Sequence, residues 1–165
     1  MVKLKDYFED YVKNIPDFPK KGVSFKDISP LLSNHQIFKN CIESMGSLVK
    51  KPDNWVGIDA RGFLFASALS YEFGGGLVMC RKKGKLPPPV ESYSYQLEYG
   101  EDTLEIQPGE GTVVIVDDVY ATGGTMKAVE KLCEKAGYKV IDKICLIDLL
   151  YLHDGIECKS IISYK

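Results

Sequence analysis

Apolar positions recur along this chain in two rhythms, and the switches between them mark its elements. Val113, Val114, Ile115 and Val116 form an unbroken β-branched run, which predicts a strand buried on both faces in the middle of a parallel sheet. A helix is expected behind it from about Met126 to Ala136, closed by Gly137 at the position a helix end favours. Towards the amino end, Leu4, Tyr7, Phe8, Tyr11 and Val12 recur at three and four residues and predict a helix over 3–14, ended by Pro16 and Pro19. Ile37, Phe38, Cys41, Ile42, Met45, Leu48 and Val49 form the apolar stripe of a second helix over 35–50. A strand over 55–59, a turn at Ala60, Arg61 and Gly62 and a helix over 63–73 repeat the strand-turn-helix order of the central stretch. After a glycine turn at 74–76, short strands are expected over 77–80, 140–150 and 156–164. This alternation predicts one α/β domain over 1–165, a mostly parallel sheet of about five strands flanked by helices.

Two stretches break the pattern. Residues 22–30 read as an irregular segment, unexpectedly apolar for a loop because of Val23, Phe25 and Ile28. Residues 83–102 are rich in Tyr and Pro and show no helix, although polar and apolar residues alternate from Tyr93 to Leu97. A segment this long inside a compact domain is characteristic of a lid or binding loop, so a flexible flap is expected there.

Composition narrows the partners. The 165 residues are 45% hydrophobic, enough for a real core, and the net charge of −2 gives no electrostatic footprint for nucleic acid. The first 25 residues lack the apolar run of a signal peptide, and nothing reaches transmembrane length, so no membrane role is expected. Cys41, Cys80, Cys133, Cys145 and Cys158 are odd in number and lack Cys-x-x-Cys spacing, which reads as reduced core thiols in a cytoplasmic protein. His35 and His153 have no ligand spacing and read as structural or exposed.

The candidate chemistry gathers behind the central strand. Asp117 and Asp118 follow it at once, then the small-residue turn Ala121, Thr122, Gly123, Gly124 and Thr125 leads into a helix. The glycines let the backbone approach a ligand, and the free N–H groups of the helix start offer an anion site, to which Thr122 and Thr125 add hydroxyls. The acids would repel a phosphate bound there. They are better placed to accept hydrogen bonds from vicinal sugar hydroxyls, or to hold a divalent cation through water. Together these groups point to a sugar phosphate, and the missing Walker pattern argues against a P-loop nucleotidase.

Residues 112–125 resemble the phosphoribosyl pyrophosphate (PRPP) motif of type I phosphoribosyltransferases. The stretches Ser24 to Leu31, Asp59 to Phe65, Arg81 to Pro87 and Leu97 to Gly100 are similar, in order and spacing, to the adenine phosphoribosyltransferases. The resemblance implies the type I fold, with a hood over approximately 1–34 and a flap over 83–102. It implies transfer of the 5-phosphoribosyl group from PRPP to adenine, giving AMP and pyrophosphate, with Mg²⁺ held mainly by PRPP and water rather than by direct protein ligands. Asp117, Asp118, Ala121, Thr122, Gly123, Gly124 and Thr125 would then bind PRPP or AMP, with Arg61, Arg81, Lys82 and Lys85 serving the pyrophosphate. Ser24 and Lys26, through backbone N–H and C=O groups, and Phe25 and Val119 would meet adenine, with Glu98 near N7. The catalytic set becomes Glu98, Tyr99, Arg61 and Lys85. Resemblance also suggests that Arg81 reaches a neighbouring subunit's site, so a homodimer is expected, and that a non-proline cis peptide joins Ala60 to Arg61. In this chain Ser24 and Lys26 stand where the family commonly has an apolar residue and Arg. A phosphoribosyltransferase for another base, such as xanthine, and a non-catalytic PRPP-binding regulator are the alternatives.

Overall fold

Strands form at the β-branched and aromatic runs and helices at the amphipathic ones. In chain order they are α1 (Leu4–Glu9), β1 (Lys13–Pro16), β2 (Ser24–Asp27), α2 (Ser29–Leu32), α3 (His35–Gly46), β3 (Asn54–Ile58), α4 (Gly62–Phe73), β4 (Gly76–Lys82), β5 (Glu91–Leu97), β6 (Gly100–Ile106), β7 (Thr112–Tyr120), α5 (Gly124–Lys135), β8 (Lys139–Leu149) and β9 (Lys159–Tyr164). The computed structural model describes residues 4–97, 100–155 and 157–165.

The β-branched run behaves as its pattern requires. Val113 and Ile115 enter an apolar cluster with Val129, Leu132 and Cys133 of α5. Val114 and Val116 enter the opposite cluster, with Ile37, Cys41 and Met45 of α3 and Phe65 and Leu69 of α4. The pleat thus sends alternate residues of β7 to opposite faces, each covered by helix.

The main sheet has seven strands in the order β5-β6-β4-β3-β7-β8-β9. Its five central and right-hand members, β4, β3, β7, β8 and β9, are parallel. The number predicted is therefore that of the parallel strands alone. Of the other two, β5 lies within the expected flap and accounts for the alternation at Tyr93 to Leu97, and it pairs antiparallel with β6, which begins in the flap, runs past its end and joins the edge of β4.

The amino-terminal region also differs from expectation. The first helix ends at Glu9, followed by turn-like bonds from Tyr11 N–H to the Phe8 carbonyl and from Val12 N–H to that of Glu9, both 3.0 Å. Residues 13–16 then pair antiparallel with 24–27 as a separate two-stranded ribbon. The apolar period that suggested a longer helix stops at Val12, and Pro16 suits an edge strand better than a helix. Ser29 and Pro30, expected within the irregular segment, instead open the short helix Ser29–Leu32, with Pro30 in its first turn.

The topology locates the crevice. From β3 the chain passes through α4 to β4 on one side, and from β7 it passes through α5 to β8 on the other. Crossovers diverge between β3 and β7, and ligands of open α/β sheets sit beyond the carboxyl ends of strands at such a point.

Candidate active site

Strand β7 runs four residues further than its apolar core, because its pairing with β8 continues to Tyr120 opposite Asp148. Asp117 and Asp118 are thus the closing part of a strand, held by the sheet. The chain then turns through residues 121–123, and Gly123, at φ +87°, takes the left-handed conformation that glycine adopts at little cost. Helix α5 starts at Gly124, two residues earlier than predicted. Thr125 and Met126 therefore fall in its first turn, whose N–H groups have no partners within the helix. A cavity of about 80 Å³ opens here, lined by Ala121, Thr122, Gly123, Gly124 and Thr125, with Val119 and Tyr120 behind. Its donors and its place at a helix start suit an anion.

Beside it lies a cleft of about 480 Å³ that shares Asp117 and Thr125 with the anion cavity and is also walled by Asp118, Arg61, Lys82 and Asp102. Arg61 Nε lies 2.7 Å from Asp118 Oδ2. The contact is ionic rather than a hydrogen bond in good line, so the buried Oδ2 keeps acceptor capacity. Asp117 has less support: its Oδ1 accepts the Asp118 N–H at 2.9 Å. Burial first, and the Asp118 charge second, push the Asp117 carboxyl well above its ordinary range.

Arg61 is placed by the turn after β3. The cis peptide of that turn joins Asp59 to Ala60, one bond before the predicted place. Arg61 itself has helical backbone angles, φ −68° and ψ −26°, as the N-cap of α4. Gly62 allows this helix start to press on β7, since a Cβ there would stand 2.8 Å from the Val116 carbonyl oxygen.

A third pocket, of about 440 Å³, lies under the β1–β2 ribbon and is lined by Ile15, Phe18, Phe25, Ile28, Leu32 and Arg61. Phe18 packs edge-on against Phe25, and the Arg61 guanidinium stands 5.0 Å from the centre of the Phe25 ring. Strand alternation turns the Phe25 ring towards this pocket and the Ser24 and Lys26 side chains away from it, which leaves open the backbone contacts expected of those two residues. Ser24 and Lys26 point to the other side of β2, where both donate to Asn14 Oδ1, the Lys26 bond being 3.0 Å long. Val119, expected near the base, instead lines the anion cavity and packs on the core.

The basic cluster divides. Lys82 reaches the central cleft. Arg81 stays beside its own chain, with Nε 3.4 Å from Asp59 Oδ2, and Lys85 accepts from Arg81 Nη1 at 3.4 Å through its backbone carbonyl. Glu98 and Tyr99 lie outside the described residues. Asp59, Tyr95 and Asp102 also line the cleft without having been singled out in the sequence. The alternation around Tyr95 was the available signal, but it could not show which face turns inward.

An anion cavity, a polar cleft and a flat apolar pocket adjoin in that order, as the phosphate, sugar and base of a nucleotide do, and on this sheet they define the phosphoribosyltransferase class. The model of the phosphoribosyl transferase domain matches residues 27–157. The adenine phosphoribosyltransferase of Hydrogenovibrio crunogenus is 47% identical over 93% of this chain and 94% of its own. The crystal structure of the Thermoanaerobacter pseudethanolicus adenine phosphoribosyltransferase superposes with a TM-score of 0.89 at 43% identity, covering 96% of this chain and 99% of that one. The Saccharomyces cerevisiae enzyme, crystallised with an imino-altritol bisphosphate and adenine, gives 0.85 at 33% identity over 90% of both chains. This chain belongs to the adenine phosphoribosyltransferase family.

Proposed function

We propose that this chain transfers the 5-phosphoribosyl group of PRPP to adenine, releasing AMP and pyrophosphate, as an enzyme of purine salvage. The observation that carries this reading is the position of Arg61, which borders both the polar cleft and the apolar pocket and contacts Asp118 and Phe25 at once. The 5′-phosphate enters the anion cavity. The ribose hydroxyls donate to Asp117 and Asp118, whose negative charge also favours the positive charge that develops on the sugar as its bond to pyrophosphate breaks. Arg61 and Lys82 receive the departing pyrophosphate, with Lys85 assigned to it by resemblance and Arg81 to a neighbouring subunit's site. Adenine lies against Phe25, its N9 forms the new bond to C1, and its displaced proton is assigned to Glu98, with Tyr99 ordering the flap.

Mg²⁺ is proposed as the companion of PRPP. Asp117 and Asp118 are adjacent acids with Arg61 beside one of them, and a bound cation nearby would favour their charged forms. Asp118 is already paired, and among the described residues no three acidic, His or Cys side chains converge, so water and PRPP oxygens are the fitting ligands. When bound, the ion neutralises charge on the leaving group.

A homodimer is proposed as well, supported by Leu64 and Tyr71 on α4 and Leu77 and Met79 on β4, all exposed. The five cysteines are free and buried, and burial holds the thiols of Cys41 and Cys133 at about 12, which suits the reducing cytoplasm proposed here. No helix among the described residues is long and apolar enough to cross a membrane.

Adenine offers a 6-amino donor and an N1 acceptor, whereas hypoxanthine and guanine reverse both, a mismatch worth on the order of 10⁴-fold when groups are buried unpaired. The test is product formation from PRPP and Mg²⁺ with adenine, hypoxanthine, guanine and xanthine offered separately. AMP from adenine alone is expected. Product from another base would move the assignment to another transferase, and PRPP binding with no product from any base would favour the regulator.

A further inference from the structure

Strand β5 is docked along helix α5 by contacts that follow the strand's alternation. Glu91, Tyr93 and Tyr95 turn to one side. Lys135 Nζ lies 3.4 Å from Glu91 Oε2 and donates to the Ser92 carbonyl at 3.0 Å, while the Lys131 ammonium stands 5.8 Å from the centre of the Tyr93 ring. At the far end Tyr95 Oη is 3.2 Å from Thr125 Oγ1, inside the first turn of α5 and on the wall of the anion cavity. The β5–β6 hairpin is thus joined to the phosphate cradle through one hydroxyl pair.

Distance alone leaves the donor open, and although the Asp102 carboxylate across the hairpin also attracts the Tyr95 proton, Thr125 Oγ1 is the partner at hydrogen-bond distance. A phenol is a stronger donor and a poorer acceptor than an aliphatic hydroxyl, and burial raises the Tyr95 pKa further, so the proton stays on Tyr95 at neutral pH. A threonine hydroxyl has one proton and two lone pairs, so one that accepts from Tyr95 still has its proton to give. We propose that Tyr95 is a positioning residue for the 5′-phosphate: its hydroxyl donates to Thr125 Oγ1 and so turns the Thr125 hydroxyl to donate to a phosphate oxygen. Consecutive hydrogen bonds of this kind polarise and strengthen one another. Phosphate occupancy and docking of the hairpin on α5 are then coupled, each favouring the other to the same degree. The relay rests on the proposed function, in which a 5′-phosphate fills the cradle.

The experiment measures AMP binding by calorimetry and steady-state kinetics for wild type, Tyr95→Phe, Thr125→Val and the double variant. Tyr95→Phe keeps the ring and its packing. It is expected to raise the AMP Kd and the KM for PRPP about five-fold, the weight of one hydrogen bond, with kcat and the KM for adenine changed less than about two-fold. Thr125→Val should weaken AMP binding too, and the double variant should be no worse than Thr125→Val, because the second change removes a link already broken. Thr125→Ser, which retains the hydroxyl, should restore sensitivity to Tyr95→Phe, and Thr125→Ala serves in place of Thr125→Val if that variant does not fold. AMP bound by Tyr95→Phe as tightly as by wild type, or more tightly, overturns the relay, as do fully additive losses in the double variant. A wild-type protein that forms no AMP overturns the proposed function instead, and inorganic phosphate binding to the same proteins then decides the relay.

Discussion

Asp118 has a guanidinium 2.7 Å away, whereas its neighbour Asp117 has one backbone N–H and a raised carboxyl pKa. A carboxyl whose folded pKa lies above its unfolded value adds its full share of stability only below the ordinary carboxylate range. That share is lost as pH rises through the interval up to the folded value, because the unfolded chain releases its proton first. Asp117→Asn removes this cost and keeps Oδ1 as acceptor for the Asp118 N–H. The variant should therefore melt higher than wild type at pH 7, with the advantage shrinking towards about pH 4, near the unfolded carboxyl pKa, while its KM for PRPP rises. Melting curves at both pH values check it, and an Asn variant less stable at pH 7 would refute the assignment of strain to this acid. The sequence assigned both acids one role. It could not separate them, because the difference comes from Arg61, which approaches only when β3 and β7 lie side by side. His153, read as structural or exposed, is structural: it is half-buried with its Nε2 2.6 Å from Asp148 Oδ1, a contact that depends on the turn after β8.

Among the elements, those with a dense apolar signal were legible and those with a sparse one were not. The runs of β7 and β8 and the stripes of α3 and α5 have covered faces, and their predicted bounds differ by only a few residues at the ends. Strand β1 is mostly exposed and read as a helix end, while β5 is only half-buried, and its alternation from Tyr93 to Leu97 was visible but read as part of a flap. The junction of α4 with β7 depends on a single missing side chain. A Cβ at Gly62 would lie 2.8 Å from the Val116 carbonyl oxygen and 3.1 Å from Asp117 Oδ1, neither of them a flexible chain end. Gly62→Ala should therefore push the start of α4 off the sheet, costing about 1–3 kcal/mol of stability as overpacking does. Arg61, the adjoining residue, would move with it, so the KM for PRPP should rise more than the fall in melting temperature alone explains. A Gly62→Ala enzyme with unchanged stability and PRPP kinetics would show that the helix start has room to spare.

At the scale of the molecule, alternating strands and helices were sufficient to reach a mostly parallel sheet with its candidate chemistry behind the central strand, whereas the order of crossovers that opens a crevice between β3 and β7 came from the structure. What the chain's own surface adds is a face that a monomer leaves wet. Leu64 and Tyr71 lie seven residues apart on α4 and so share one side of it, with Tyr71 92% exposed. Leu77 and Met79 are 41% and 42% exposed and share one face of β4, the strand that carries Arg81 and Lys82 at its end. A partner covering this face would bury these side chains together and bring its own atoms close to the loop after β4, which ties assembly to the site. Light scattering should accordingly find two copies per particle. Tyr71→Glu and Met79→Glu, which place charges on the covered face and leave the cleft residues intact, should shift the protein to single copies. Turnover per chain should fall with them, and for wild type it should fall on dilution. A wild-type protein that stays single at micromolar concentration with full turnover would remove both the dimer and any role for Arg81 beyond its own chain.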